Sequence, residues 1–118
     1  MKIFLIGPMG SGKSKIGKIL SSELDKDLFD LDKEIEKDLN LSIKKIFEIN
    51  GEAYFRSIET KYLKKSLELK NCIVSTGGGI VESEENLNIL KNEKYVIFLN
   101  SKVESQFKNT KGLSLIHI

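Results

Sequence analysis

One cysteine, one proline, one histidine, one arginine and no tryptophan occur among 118 residues. The lone thiol, Cys72, cannot close an intramolecular disulfide or build a multi-cysteine zinc centre. His117 by itself excludes a histidine-rich metal site. Long apolar runs are missing too. A run such as Ile3–Ile6 falls far short of the roughly 20 residues that a membrane helix needs. Gly7-Pro8 breaks that run, so the amino end does not read as a secretory signal, and a cytoplasmic compartment is expected. Nor is there an excess of one charge. Nineteen basic and seventeen acidic residues leave a net charge of +2, which suggests neither a nucleic-acid partner nor an acidic tail. No linker, repeat or low-complexity tract divides the chain. One small domain is expected, acting as a monomer on a small molecule, with no membrane or nucleic-acid partner.

What is present is ordinary for a globular protein: 40% hydrophobic and 31% charged residues. Short apolar segments alternate with helical spacing. Strands are expected at 2–6, 28–31, Cys72–Ser75 and Tyr95–Leu99. Helices are expected at 14–24, 33–39, 43–49, 52–69 and 83–91, with Ser83 capping the last of these, and a further one from Ser101 to about Phe107. In the long helix Phe55, Ile58, Tyr62 and Leu69 share a face, and Glu59 and Lys65 look more polar. Strands apolar at every position, separated by helices, imply an α/β fold with a parallel sheet covered on both faces. Ligands of such sheets sit at the carboxyl ends of the strands, where every motif below falls.

Gly7-Pro8-Met9-Gly10-Ser11-Gly12-Lys13-Ser14 fits G-x-x-x-x-G-K-[ST], with an apolar strand before it and an amphipathic helix after it. Glycines let main-chain N–H groups curl around an anion, and the following helix aims its positive end at the same place. Lys13 adds a charge for the outer phosphates of a nucleotide, and the Ser14 hydroxyl offers a hard oxygen to Mg²⁺. A dinucleotide fingerprint is disfavoured, because the third glycine of G-x-G-x-x-G is missing after Gly12.

Three further clusters speak to the group that receives phosphate. Asp30-Leu31-Asp32 closes the second expected strand, so both carboxylates point one way. One can position Mg²⁺ through water and the other can take a hydroxyl proton; the plainer role for either aspartate is to cap the helix that begins near Lys33. Arg56 is the only arginine beside eighteen lysines, which suggests a need for a planar fork on a carboxylate or phosphate. The alternative is a surface pair with Glu52 or Glu59. Gly77-Gly78-Gly79 could lay bare backbone against a substrate, or simply turn the chain.

Taken together, GPMGSGKS, FDLDKEIE, NGEAYFRSIE and STGGG resemble shikimate kinase, from Met1 to about Lys108. The resemblance implies ATP- and Mg²⁺-dependent phosphorylation of the 3-hydroxyl of shikimate, a step of chorismate and aromatic amino acid biosynthesis. It implies a P-loop fold like that of nucleoside monophosphate kinases, with strand order 2-3-1-4-5. By this resemblance Gly10, Ser11, Gly12, Lys13, Ser14 and Lys15 bind the ATP phosphates, Ser14 ligates the metal with Asp30 assisting, and Lys13 and Asp32 are catalytic. Asp32 also holds the shikimate hydroxyls, Arg56 grips its carboxylate, Gly78 contacts it through the backbone and Glu59 orients Arg56.

The carboxyl end departs from this pattern. Family members are expected to continue with an arginine-bearing lid, a second substrate arginine, a fifth strand and part of the adenine pocket. The 118-residue chain is therefore expected to have little kinase activity, and Lys108 is a weak candidate for the adenine side. Residues 113–118, Leu-Ser-Leu-Ile-His-Ile, match a reading frame of a transposase mosaic-end adapter, so a partial kinase domain over 1–112 and a non-native tail over 113–118 are expected. The rival readings are a gluconate or nucleoside monophosphate kinase of the same fold, and a nucleotide-binding fragment without catalysis.

Overall fold

A computed structural model describes residues 1–99 and the backbone of 113–116. The expected helix from Ser101 and the candidate Lys108 lie outside the described residues. Four parallel strands form the body of one sheet: β1 (Ile3–Ile6), β2 (Asp27–Asp30), β3 (Cys72–Ser75) and β4 (Tyr95–Leu99). Five helices join them: α1 (Lys13–Leu24), α2 (Leu31–Leu39), α3 (Ile43–Asn50), α4 (Glu52–Ser66) and α5 (Glu84–Lys91). The four strands lie in the order β2-β3-β1-β4, the first four places of the order that the resemblance implies.

Alternation along each strand divides the core into two layers. Phe4, Ile6, Val74 and Val96 face one cluster, with Leu31, Ile35, Ile46, Phe55, Tyr62 and Leu63 from α2, α3 and α4. Ile3, Leu5, Ile73, Ile97 and Leu99 face the other, with Ile16 of α1. All eight residues of β1 and β3 are buried, which is why these strands read as unbroken apolar runs.

The fifth position of the sheet differs from expectation. No parallel fifth strand is described; Leu113–Ile116 (β5) pairs antiparallel with β4, Val96 opposite Ile116 and Leu99 opposite Leu113. An open strand edge presents a row of unpaired N–H and C=O groups, and the apolar segment 113–116 satisfies that row.

Two boundaries also shift. The second strand stops at Asp30 and α2 starts at Leu31, because the Asp30 side chain accepts a hydrogen bond from Lys33 N at 3.2 Å and caps the helix. Asp32 thus belongs to the first helical turn, not the strand, and the capping role considered for it falls to Asp30. Helix α4 ends at Ser66 rather than 69, its last carbonyls taken by tighter i to i+3 bonds from Leu67, Glu68 and Leu69.

A buried polar link ties α4 to α5. Asn86, fully buried, donates from Nδ2 to the Ile80 carbonyl at 2.9 Å, so its Oδ1 turns towards Thr60, whose hydroxyl donates to it at 2.8 Å. Ile80 opens a 3-10 turn (Ile80–Glu82) directly after the glycine triplet. Replacing Asn86 by Ala strands the Ile80 carbonyl and leaves the Thr60 hydroxyl only the Arg56 carbonyl, 3.1 Å away. The expected loss is about 1–3 kcal/mol, seen as a lower urea midpoint at unchanged slope; an unchanged midpoint would contradict the role.

Candidate active site

The carboxyl ends of β1, β2 and β3 lie side by side, Leu5 opposite Ser75 and Ser75 opposite Asp30. Each is followed by one of the motifs, so sheet register alone brings the three together. After β1 the chain turns through 7–12 into α1. Gly10 and Gly12 take φ of +80° and +91°, a region that side chains with Cβ rarely adopt. Gly12 is the α1 N-cap and no side chain caps that end, which leaves the first-turn N–H groups directed at the loop's concave side. Ser11 Oγ, fully buried, has no hydrogen-bond partner there. Lys13 is also buried; its ammonium donates to the carbonyls of Gly7 and, at 3.0 Å, Pro8. Burial pushes its pKa down, with Asp32 and Asp30 pulling it back up. Lys15 is exposed on the cleft wall. A concave set of unsatisfied donors with a cation beneath it fits a polyphosphate.

The Ser14 hydroxyl donates to Asp30 Oδ2 at 3.3 Å. These two hard oxygens fit Mg²⁺, which takes one or two protein oxygens and completes its shell with phosphate and water. Among the described residues, no group of three His, Cys, Asp or Glu side chains forms a metal cage of its own.

Asp32 stands one helical step further in, on the wall between two connected hollows. One, about 570 Å³, runs along Gly10, Gly12, Lys13, Ser14 and Asp30. The other, about 260 Å³, is lined by Arg56, Glu59, Glu82, Phe47, Phe55 and the glycine triplet. Asp32, Gly77 and Gly78 line both. Asp32 Oδ1 is buried without a hydrogen-bond partner. Burial raises its pKa, Asp30 adds to the rise, and Lys13 and Arg56 oppose it. A carboxylate raised in this way is better matched to taking a proton near neutrality than an ordinary aspartate.

Arg56 is indeed paired, but not on an open surface. Nη1 donates to Glu59 Oε1 at 3.1 Å, and Nη2 lies 3.3 Å from Glu52 and 3.0 Å from Glu82. Its guanidinium carbon sits 5.6 Å and 5.9 Å from the rings of Phe55 and Phe47, which face each other at 4.8 Å. Burial alone would lower the Arg56 pKa; Glu59, Glu52 and Glu82 outweigh it and raise it. Glu59, read as a polar position of α4, is fully buried, and burial raises its pKa against the pull of Arg56.

The glycine triplet is a packing requirement. A Cβ on Gly77 would fall 2.8 Å from Glu59 Oε2 and 2.9 Å from Asp32 Oδ1, and one on Gly79 would collide with the Arg56 guanidinium. Gly78, the expected substrate contact, is exposed and abuts Met9 of the phosphate loop. The expected site residues within the described part of the chain, from the phosphate loop, Asp30, Asp32, Arg56, Glu59 and Gly78, thus line or adjoin the two hollows. Glu82, Phe47 and Phe55 were not foreseen. Phe55 adjoins Arg56 in sequence, whereas Phe47 and Glu82 come near it only in the folded chain.

The raised Asp32 carboxyl sets a stability test. A native state that holds its proton more tightly than the unfolded chain loses stability as pH rises above the ordinary value of 3.8. Asp32→Asn is therefore expected to raise the melting temperature by a few degrees at neutral pH, with the gain disappearing on acidification below 3.8. A melting temperature that drops at neutral pH would contradict the assignment.

The family model described as shikimate kinase matches residues 9–114. The shikimate kinase of Caldicellulosiruptor bescii is 43% identical over 109 residues, 92% of this chain and 63% of that protein. The bifunctional shikimate kinase/3-dehydroquinate synthase of Thermotoga maritima is 49% identical over 104 residues, 88% of this chain and 21% of that protein. Among solved structures, the shikimate kinase from Acinetobacter baumannii in complex with shikimate superposes with a TM-score of 0.82 at 37% identity, covering 93% of this chain and 62% of that one. The shikimate kinase from Aquifex aeolicus gives 0.80 at 43% identity, covering 95% and 68%. The chain spans 63% of the length of the Caldicellulosiruptor relative.

Proposed function

Because the chain belongs to the shikimate kinase family, we propose that the protein moves the terminal phosphoryl group of ATP onto the 3-hydroxyl of shikimate, within chorismate and aromatic amino acid biosynthesis. The observation that carries this reading is Asp32 on the wall shared by a phosphate-shaped hollow and a hollow holding the one arginine. The relative from Acinetobacter baumannii was solved with shikimate, which supports the same small acid as the ligand here.

In this reading residues 10–15 enclose the phosphates. Lys13 exchanges the carbonyls of Gly7 and Pro8 for phosphate oxygens, whose negative charge offsets the downward push of burial on its pKa. Mg²⁺, held through Ser14 with Asp30 behind it, would neutralise charge on the transferring group. Asp32 holds the acceptor hydroxyl and takes its proton, and Arg56 fixes the acid end by its carboxylate. Gly78 offers main-chain contact beside Met9. The phosphoryl group moves in line between two anchored partners, so positioning supplies much of the catalysis.

No helix among the described residues is long and apolar enough to cross a membrane. A cytoplasmic monomer is part of the proposal. So is the non-native origin of 113–118, which the codons of those six residues decide.

The test is a coupled assay of ADP release at the protein's natural length, with ATP, Mg²⁺ and shikimate. Asp32→Asn should lower kcat by about 10²–10⁴ with KM for shikimate changed much less. Arg56→Lys should raise KM for shikimate about tenfold or more, since the planar fork is lost. ADP release that does not depend on shikimate, or an unchanged KM in Arg56→Lys, would overturn the reading.

A further inference from the structure

Counting donors on Arg56 exposes a conflict. A terminal guanidinium nitrogen carries two hydrogens. Nη2 donates one of its two to Glu52 at 3.3 Å, Nη1 donates one to Glu59 at 3.1 Å, and the Glu82 carboxylate lies 3.0 Å from Nη2 as an ion pair. A carboxylate bound in a fork needs either the Nη1 and Nη2 pair or the Nε and Nη2 pair. Both need a hydrogen of Nη2, where two resident carboxylates already crowd, so one of them has to give way to an incoming acid.

The surroundings decide which one. The Glu59 side chain is 1% exposed and sits behind the guanidinium, so it stays. Glu52 lies four residues before Arg56 on the same helix and does not line the acceptor hollow. Glu82 comes from the turn after the glycine triplet and lines that hollow beside Arg56; its side chain, 64% exposed against 65% for Glu52, is as free to swing into water, so its place in the hollow is what singles it out.

We propose that Glu82 is an affinity-setting residue: its carboxylate occupies the place on Arg56 that the substrate's carboxylate takes, and is displaced by it. The exchange replaces one carboxylate by another on the same donors. Glu82 therefore keeps the guanidinium aimed across Gly79, and it weakens acid binding by competing for Nη2. A ligand without a carboxylate gains nothing from its removal. This inference rests on the reading of the smaller hollow as the acceptor site.

The experiment is isothermal titration at low salt of the natural-length protein and of Glu82→Gln, with shikimate and with its uncharged methyl ester. Glu82→Gln is expected to bind shikimate about two- to fivefold more tightly, the range that corresponds to an exposed ion pair, and to bind the ester as the parent does. In the assay its KM for shikimate falls with kcat retained. Equal or weaker shikimate binding by Glu82→Gln, with the parent binding normally, overturns the role of Glu82 and leaves the acceptor site standing. An equal gain for the ester also overturns it, since the effect would not depend on a carboxylate. Failure of both proteins to bind shikimate overturns the acceptor reading, and this inference with it.

Discussion

The ion pair between Arg56 and the fully buried Glu59 is the contact on which the acceptor half of the molecule rests. A carboxylate taken out of water needs a partner, and breaking such a pair from one side leaves an uncompensated charge. Here the partner comes from the same helix three residues earlier, so local geometry holds the pair together. Glu59 Oε2 remains without a hydrogen bond and faces Gly77 along with Asp32 Oδ1. Two carboxylates and a guanidinium can crowd against the end of β3 only because Gly77 and Gly79 there lack a Cβ.

That crowding has a cost which the fold does not recover in stability. Burial raises the pKa of Asp32 and Glu59 and lowers that of Lys13, each away from its charged form. Uncharged packing of the same volume would be at least as stable. Unsatisfied polar atoms at Ser11, Asp32 and Glu59 lie in or beside the two hollows. Unmet hydrogen-bonding capacity gathered in one cleft is what a site built to receive charged ligands looks like before they arrive. The two apolar layers and the Asn86–Thr60–Ile80 link hold the walls in place.

The parts of this arrangement differ in how far the chain alone discloses them. The phosphate loop is legible because its function lies in backbone conformation, and glycines at set spacings report backbone directly. Arg56 stands out through scarcity among lysines. Strands β3 and β4 are legible to the residue, since buried parallel strands are apolar throughout. Asp30 and Asp32 illustrate a shared periodicity failing: strand alternation puts them on one face, but a capped helix begins between them, and one becomes the cap while the other enters the cleft. The burial of Glu59 is missed because a carboxylate reads as polar, although its spacing, four after Phe55 and three before Tyr62, puts it on the buried face of α4, and the pairing with Arg56 one turn earlier makes that site tolerable. Glu82 is further out of reach, 26 residues from Arg56 and delivered by a turn whose path no local pattern specifies. The antiparallel pairing of 113–116 follows from an open edge at β4, a property of the assembled sheet.

The central claim is that one cleft seats a polyphosphate against the loop of 7–14 and a small hydroxylated acid between Asp32 and Arg56. A crystal structure of the natural-length protein with ADP and shikimate tests this most directly. The account predicts the shikimate carboxylate within hydrogen-bond distance of the Arg56 guanidinium, with a ring hydroxyl on Asp32. Shikimate seated away from both side chains would contradict it.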